Sequence, residues 1–284
     1  MADYLMRDDA PLSASEWGQL DETVVSVARH LLVGRRFVSL TGPLGVGTQV
    51  VPLDTVGPGS ACLHDQEGCT CEAGECDVIG VTGRRFLALP LLHQDFRLAW
   101  RNIESSRQAG QPLELAPAAA AAAAVARAED ELILRGHPEH GYEGFLNAAG
   151  RQEVALGNWD EPGGAFAGVN SAIEALVSAG FFGPFAVVLS PALYAKTQRV
   201  GKGIGRLESK LITDMAEGGL FRTPVLKGNE GFVVALGAHN FDLAVAQDLI
   251  TAYLGPEGMD HRFRVLESLV LRIKRPGAIC TFAP

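Results

Sequence analysis

The sequence predicts an α+β protein with helices and strands mixed along one chain, and three patterns carry that expectation. Trp17, Leu20, Val24, Val27 and Leu31 recur at three- and four-residue steps, which puts them on one face of a helix. Residues 115–135 hold an alanine run, the best intrinsic helix former, with Pro117 near the start where proline is tolerated. Towards the far end, Leu269, Leu271 and Ile273 alternate with Val270, Arg272 and Lys274, the period of two expected of a half-buried strand.

Composition narrows the possible roles. A chain of 284 residues, 47% hydrophobic and 20% charged, can bury the core of one large domain or two modest ones. Its formal net charge of −9 argues against a general nucleic-acid-binding role, which needs a basic face. The longest small-apolar run, 116–128, carries Arg127 and leads into Glu129, Asp130 and Glu131, so it reads as a water-facing helix and not a membrane span. No basic stretch followed by an apolar one opens the chain, and a cytoplasmic location is expected. In that compartment the five cysteines read first as reduced thiols or metal ligands.

In chain order, Ser13 and Glu16 have capping-box spacing and start the first helix, which Gly34 ends. Residues 35–40 read as a short strand closed by Gly42-Pro43. The glycine-rich segment 42–47 contains Pro43 and precedes no helix, so it is a turn and not a phosphate loop. Two strand-like stretches, 49–53 and 77–81 with 85–92, flank a polar tip bearing glycine and cysteine. They predict a long two-stranded arm, which is marginal alone in water and needs a partner surface such as a second subunit. A helix over 94–109 would put Phe96, Trp100 and Ile103 on one side. Beyond the 115–135 helix come helices over 169–179, 191–198 and 207–216, and strands over 185–189, 232–236, 243–246 and 266–274.

Catalytic signatures are sparse. There is no Gly-x-Ser-x-Gly elbow, Walker loop or His-Glu-x-x-His. Arg199, Gly201, Lys202, Gly203, Gly205 and Arg206 form a basic, glycine-rich loop, but no strand precedes it as a dinucleotide fingerprint requires. His137 and His140 flank Pro138; a surface turn is expected, with a metal pair as the alternative. Cys62, Cys69, Cys71 and Cys76 fall within fifteen residues, and four soft ligands suit zinc or another thiophilic metal, with nearby His64 able to replace one thiolate. Their spacing matches no zinc knuckle or ribbon, so a metal or redox role, intersubunit disulfides and no specific role all stay open. No cofactor is otherwise required.

Several segments, in order along nearly the whole chain, resemble the encapsulin family of linocin-type shells. They are Ala10-Pro11-Leu12 before the Trp17 helix, Gly34-Arg35-Arg36-Phe37 leading to Thr41-Gly42-Pro43, residues 91–100, residues 129–136 (Glu-Asp-Glu-Leu-Ile-Leu-Arg-Gly), Gly141-Tyr142-Glu143-Gly144, residues 183–190 (Gly-Pro-Phe-Ala-Val-Val-Leu-Ser), and Gln247-Asp248-Leu249. The resemblance implies the tailed-phage major capsid (Hong Kong 97-like) fold and a non-enzymatic shell of sixty subunits or a multiple of sixty. It divides the chain into 1–47 and 93–141 in a peripheral domain, 48–92 as an extended loop, 142–226 as an axial domain, and 227–284 returning to the periphery.

By position, the resemblance further implies a groove for a cargo protein's short apolar C-terminal peptide, made from Arg35, Phe37, Ser39, Asp248, Leu249, Ile250 and Tyr253 beside the first helix. It also implies a five-fold pore lined by the 199–206 loop. Ferritin-like iron-storage cargo is the first expectation and a dye-decolourising peroxidase the second. A phage or prophage capsid protein, or a redox enzyme using the cysteine arm, are the alternatives. Partners are thus other copies of the chain and a cargo protein, with no nucleic acid and no membrane. The cysteine stretch is the departure from the family pattern.

Overall fold

The computed structural model describes residues 4–56, 64–65, 68–69, 79–200 and 205–283. Helix α1 (Ala14–Leu31) starts as the sequence predicts: the Ser13 hydroxyl accepts from the Glu16 N–H, and the Glu16 carboxylate accepts from the Ser13 N–H at 2.7 Å. Trp17, Leu20, Val24 and Ala28 face inward. Val27 is only half-buried and Leu31 exposed, because Ala28 takes the inward place in the last turns.

The expected strand over 35–40 shortens to β1 (Ser39–Thr41), preceded by a 3-10 turn over Gly34–Arg36. Asp130 causes that turn: its carboxylate accepts from the Val33 and Gly34 N–H groups at 2.9–3.1 Å. The arm follows as β2 (Val50–Val56), two short segments β3 (His64–Asp65) and β4 (Gly68–Cys69), and β5 (Val81–Ala88) pairing antiparallel with β2.

The 94–109 helix expectation is corrected in its first part. Residues Leu91–Leu98 form strand β6, and helix α2 covers Trp100–Ala109. Phe96 and Leu98 are buried while Arg97 between them is exposed, a period of two. Phe96 stacks on Phe263 across the sheet at 5.4 Å between ring centres. The apparent helical spacing from Phe96 to Trp100 bridges two different elements.

Helix α3 (Ala116–Arg135) packs its alanine face on α1, where Ala118, Ala121, Ala122 and Val125 meet Trp17, Leu20 and Val24. Small side chains allow the two backbones to approach closely. Gly136 ends α3 with φ +66°, and a Cβ there would lie 2.3 Å from the Tyr142 carbonyl oxygen; one on Gly144 would lie 2.3 Å from the Gly136 nitrogen. Only glycine fits this crossing, which is the physical content of the Gly-Tyr-Glu-Gly segment.

Beyond it run β7 (Gln152–Ala155), α4 (Gly164–Ser178), β8 (Phe185–Leu189), α5 (Pro191–Lys196), α6 (Glu208–Ala216), β9 (Glu217–Arg222), β10 (Gly231–Ala235), β11 (Phe241–Glu257), β12 (Asp260–Ile273) and β13 (Ile279–Ala283). The strands expected at 243–246 and 266–274 are pieces of the long β11–β12 hairpin, which joins β1 and β6 in a four-stranded sheet ordered β1-β11-β12-β6. A five-stranded sheet ordered β7-β13-β10-β8-β9 takes the last strand of the chain.

β8 is buried at every position because both its faces are covered. Val187 and Leu189 face a core with α4 and α6, while Ala186 and Val188 face a core shared with β11 and β12. Phe145 sits at the centre of the shared core, stacked on Phe232 at 5.3 Å and edge-on to Phe241 at 5.0 Å. The β12 face expected to meet water is also covered: Val270 and Ala244 pack under Val51 at the base of the arm.

Candidate functional site

The seven residues expected to form a groove are divided by the fold. Arg35, just after α1, reaches inward to three carboxylates. Its Nε donates to both oxygens of Glu129 at 2.8 and 3.0 Å, Nη1 to Asp248 at 2.6 Å, and Nη2 to Glu267 at 2.8 Å. Glu129 comes from α3, Asp248 from β11 and Glu267 from β12, so one guanidinium ties three elements to the end of α1.

Glu129 and Glu267 are fully buried. Burial, and then the negative Glu129 beside it, push the Glu267 carboxyl well above the usual carboxylate range, so it keeps its proton to higher pH than an exposed glutamate. Asp248 is shifted the other way: burial opposes, but the Arg35 contact holds it below the usual range. Breaking a buried ion pair from one side costs about 3–5 kcal/mol. The cluster therefore works as a structural latch, with only Asp248 presenting a charge to the surface.

Phe37 faces the opposite way from the expected groove. It lies buried in the shared core, within 5.6–6.3 Å of the Phe145, Phe221 and Phe232 rings. Tyr253 is also buried; its hydroxyl meets His261 Nδ1 at 3.0 Å, and its backbone N–H donates to the Leu5 carbonyl at 2.8 Å. The N-terminal segment thus lies against β11, and Tyr4 adds a bond to Gln247 at 2.7 Å. Ser39 and Asp248 are exposed and Ile250 is half-buried. Leu249 packs beside Ala28 and Leu32 of the α1 end.

Sequence reasoning missed a trough on the outer flank of α1. It has a volume of about 600 Å³ and is lined by Gln19, Glu22, Thr23, Ser26 and Val27 of the helix and by Pro112, Leu113 and Leu115 of the segment entering α3. Thr23 and Ser26, each one position before the stripe residues Val24 and Val27, were the available signal; that 112–115 would lie opposite was not readable. The burial of Glu129 and Asp130 was missed as well: beside Arg127 and Glu131 they read as part of a water-facing end of the helix, yet both are buried.

The basic loop is pinned at its neck. Val200 bridges Leu207, the Glu208 N–H donates to the Arg199 carbonyl at 2.8 Å, and the buried Glu208 carboxylate accepts from the Gly163 N–H at 2.7 Å. Two of its expected cations are already engaged: Arg199 donates to the Asp160 carbonyl, and Arg206 pairs with Asp214 at 2.8 Å. Gly205 is exposed; Gly201, Lys202 and Gly203 lie outside the described residues. So do Cys62, Cys71 and Cys76, and only the backbone of Cys69, in β4, is described. Among the described residues no group of three or more His, Cys, Asp or Glu side chains is placed to hold a metal ion. His137 and His140 stack face to face, 4.4 Å between ring centres, on a 3-10 turn. Cys280 is buried in β13, and burial pushes its thiol up to about 11. No helix among the described residues is long and apolar enough to cross a membrane.

Two sheets fastened by a buried core, a long helix across them and a projecting two-stranded arm are the parts of a capsid-type shell subunit. Solved structures agree: the virus-like particle of Pyrococcus furiosus superposes with a TM-score of 0.76 at 21% identity, over 94% of this chain and 99% of that one. The capsid of Myoviridae phage XM1 superposes with a TM-score of 0.62 at 12% identity, over 86% and 88%. These likenesses show the tailed-phage capsid fold. The sequence profile of the family described as "Encapsulating protein for peroxidase" matches residues 2–270, and the chain belongs to that encapsulin family. It is 44% identical to the type 1 encapsulin shell protein EncA of Myxococcus xanthus, over 99% of this chain and 96% of that one. It is 39% identical to a diheme-cytochrome-encapsulin shell fusion protein of Kuenenia stuttgartiensis, over 95% and 73%. The role is structural and not catalytic.

Proposed function

We propose that the chain builds a closed icosahedral compartment of sixty subunits or a multiple, and that the trough beside α1 receives the C-terminal peptide of a ferritin-like iron-storage cargo. The observation that carries the reading is the trough itself: an open channel with Val27, Pro112, Leu113 and Leu115 on its apolar side and Gln19, Glu22, Thr23 and Ser26 on its polar side, on a helix tied to the sheet by the Arg35 latch and the Asp130 cap that follow it. Burying two or three aliphatic side chains there contributes about 1.5–3 kcal/mol each before ordering costs. A relative from Pyrococcus furiosus, 26% identical over 72% of this chain, is a ferritin-like-encapsulin shell fusion protein, which favours ferritin-like cargo. The family description favours a peroxidase as the second reading.

The 199–206 loop is proposed to line the pore at the five-fold axis. With Arg206 matched by Asp214, its field on entering cations is weaker than three bare charges per subunit would give.

The test is to purify particles from the native host, image them by electron microscopy, and identify the enclosed protein by mass spectrometry. Closed shells holding a di-iron, ferritin-like protein with an apolar tail are expected. A haem peroxidase inside instead selects the second cargo. A solitary 30.1 kDa species at micromolar concentration overturns the compartment.

A further inference from the structure

We infer that the chain carries a second binding site, distinct from the trough, for a phosphate ester of nucleotide size. A cavity of about 740 Å³ opens where the end of α1 meets α5 and the end of β9. His30, Arg36 and Arg222 line it from three different elements, and no Asp or Glu does, although the chain as a whole has a formal net charge of −9. The guanidinium groups of Arg36 and Arg222 give this wall a sign opposite to the protein's average, which concentrates anions locally.

The three side chains are prearranged. His30 Nδ1 lies 2.7 Å from the Ser26 carbonyl oxygen, a contact made by an N–H on that nitrogen, which leaves Nε2 as the outward one. Arg36 donates from Nη2 to the His30 carbonyl at 3.0 Å, holding its guanidinium over the last turn of α1. Arg222 is steadied over the Tyr194 ring at 5.1 Å. An arginine fork matches phosphate oxygens two at a time.

Phe221, partly buried against Phe37, and the Tyr194 ring with the Arg222 guanidinium over it supply flat surfaces in the same cavity. Its volume falls within the roughly 300–1,000 Å³ usual for small-molecule sites. Bare phosphate would leave the aromatic walls unused, and a neutral aromatic would leave the guanidinium groups unpaired. A phosphate joined to a planar base uses both.

The experiment is equilibrium dialysis of intact shells against AMP, adenosine and inorganic phosphate. Saturable AMP binding near one per subunit is expected, with adenosine and phosphate each weaker by about tenfold or more. Arg36→Gln and Arg222→Gln should each lower AMP affinity by about tenfold, with particle size by light scattering unchanged. Absence of saturable AMP binding, equal affinity for AMP and phosphate, or variants that bind like wild type each overturns the site. If a variant does not assemble, the wild-type shell decides. Displacement of AMP by sulfate, against chloride at equal ionic strength, supports the site; indifference to sulfate overturns it.

Discussion

At the turn after α1, a side chain from the middle of one helix closes the end of another. Asp130 belongs to α3, yet its carboxylate satisfies the Val33 and Gly34 N–H groups left over where the chain leaves α1. Burial pushes this carboxyl from its ordinary 3.8 up to about 6, against the two N–H groups that favour the charged form; Glu129 adds to the rise and Arg36 opposes it. The folded chain therefore holds this proton more tightly than the unfolded one. The resulting stabilisation is present in full below pH 3.8 and is lost as pH rises to about 6, a change worth about 3 kcal/mol. Asp130→Asn keeps an acceptor oxygen and removes the titration. The melting temperature of this variant should accordingly rise relative to wild type between pH 4 and 7, measured at one scan rate. A difference that stays flat across that range contradicts the assignment. Arg35 shows the same logic without the titration: it stays charged because Glu129, Glu267 and Asp248 surround it.

On the scale of elements, the arm has one face packed on this chain's own sheet and one face exposed. Val51 and Leu53 of β2 are buried over the sheet, but Val50, Val56, Val81 and Phe86 point outward, Phe86 with 66% of its surface exposed. A two-stranded ribbon with such residues is not stable on its own account. Phe86→Ser should leave helix and strand content by circular dichroism unchanged and lower the yield of closed particles at least several-fold; normal assembly would show that the arm's outer face is not a contact between copies.

Helices α1 and α3 and the buried strand β8 were legible in the sequence because each has a local signature: a capping box, an alanine run, a continuous apolar stretch; the arm was legible only in part, since β5 spans the gap between the expected 77–81 and 85–92 runs and residues 91–92 belong to β6. Strand β6 was not, since Phe96 and Leu98 earn their inward places from Phe263 and Val265, far along the chain. The site was less legible still. Arg35 and Asp248 do stand together, but Phe37 lies in the core because Phe145, Phe221 and Phe232 surround it. Nothing local to residues 35–39 announces those partners.

For the whole molecule, the proposed cargo reading turns on how many copies of one weak site face the same interior. A trough that buries two or three aliphatic side chains retains modest affinity after the cost of ordering a peptide. When one cargo assembly carries several peptides, each further contact is intramolecular, and avidity exceeds single-site affinity by about 10²–10⁴. This separates two effects of damaging the trough. Val27→Asn places an amide on the trough wall, where Val27 is half-buried at the edge of the core cluster that holds Leu113 and Leu115, and particle yield and size show whether the shell itself is unchanged. A monomeric fluorescent protein bearing the cargo's C-terminal peptide should then be almost absent from the shells, while an oligomeric cargo bearing the same peptide should still load, at a reduced level. The measurement is the ratio of each cargo to shell protein in purified particles. Equal loss of both cargoes would show that each peptide acts alone, and equal retention would show that the peptide binds elsewhere than beside α1.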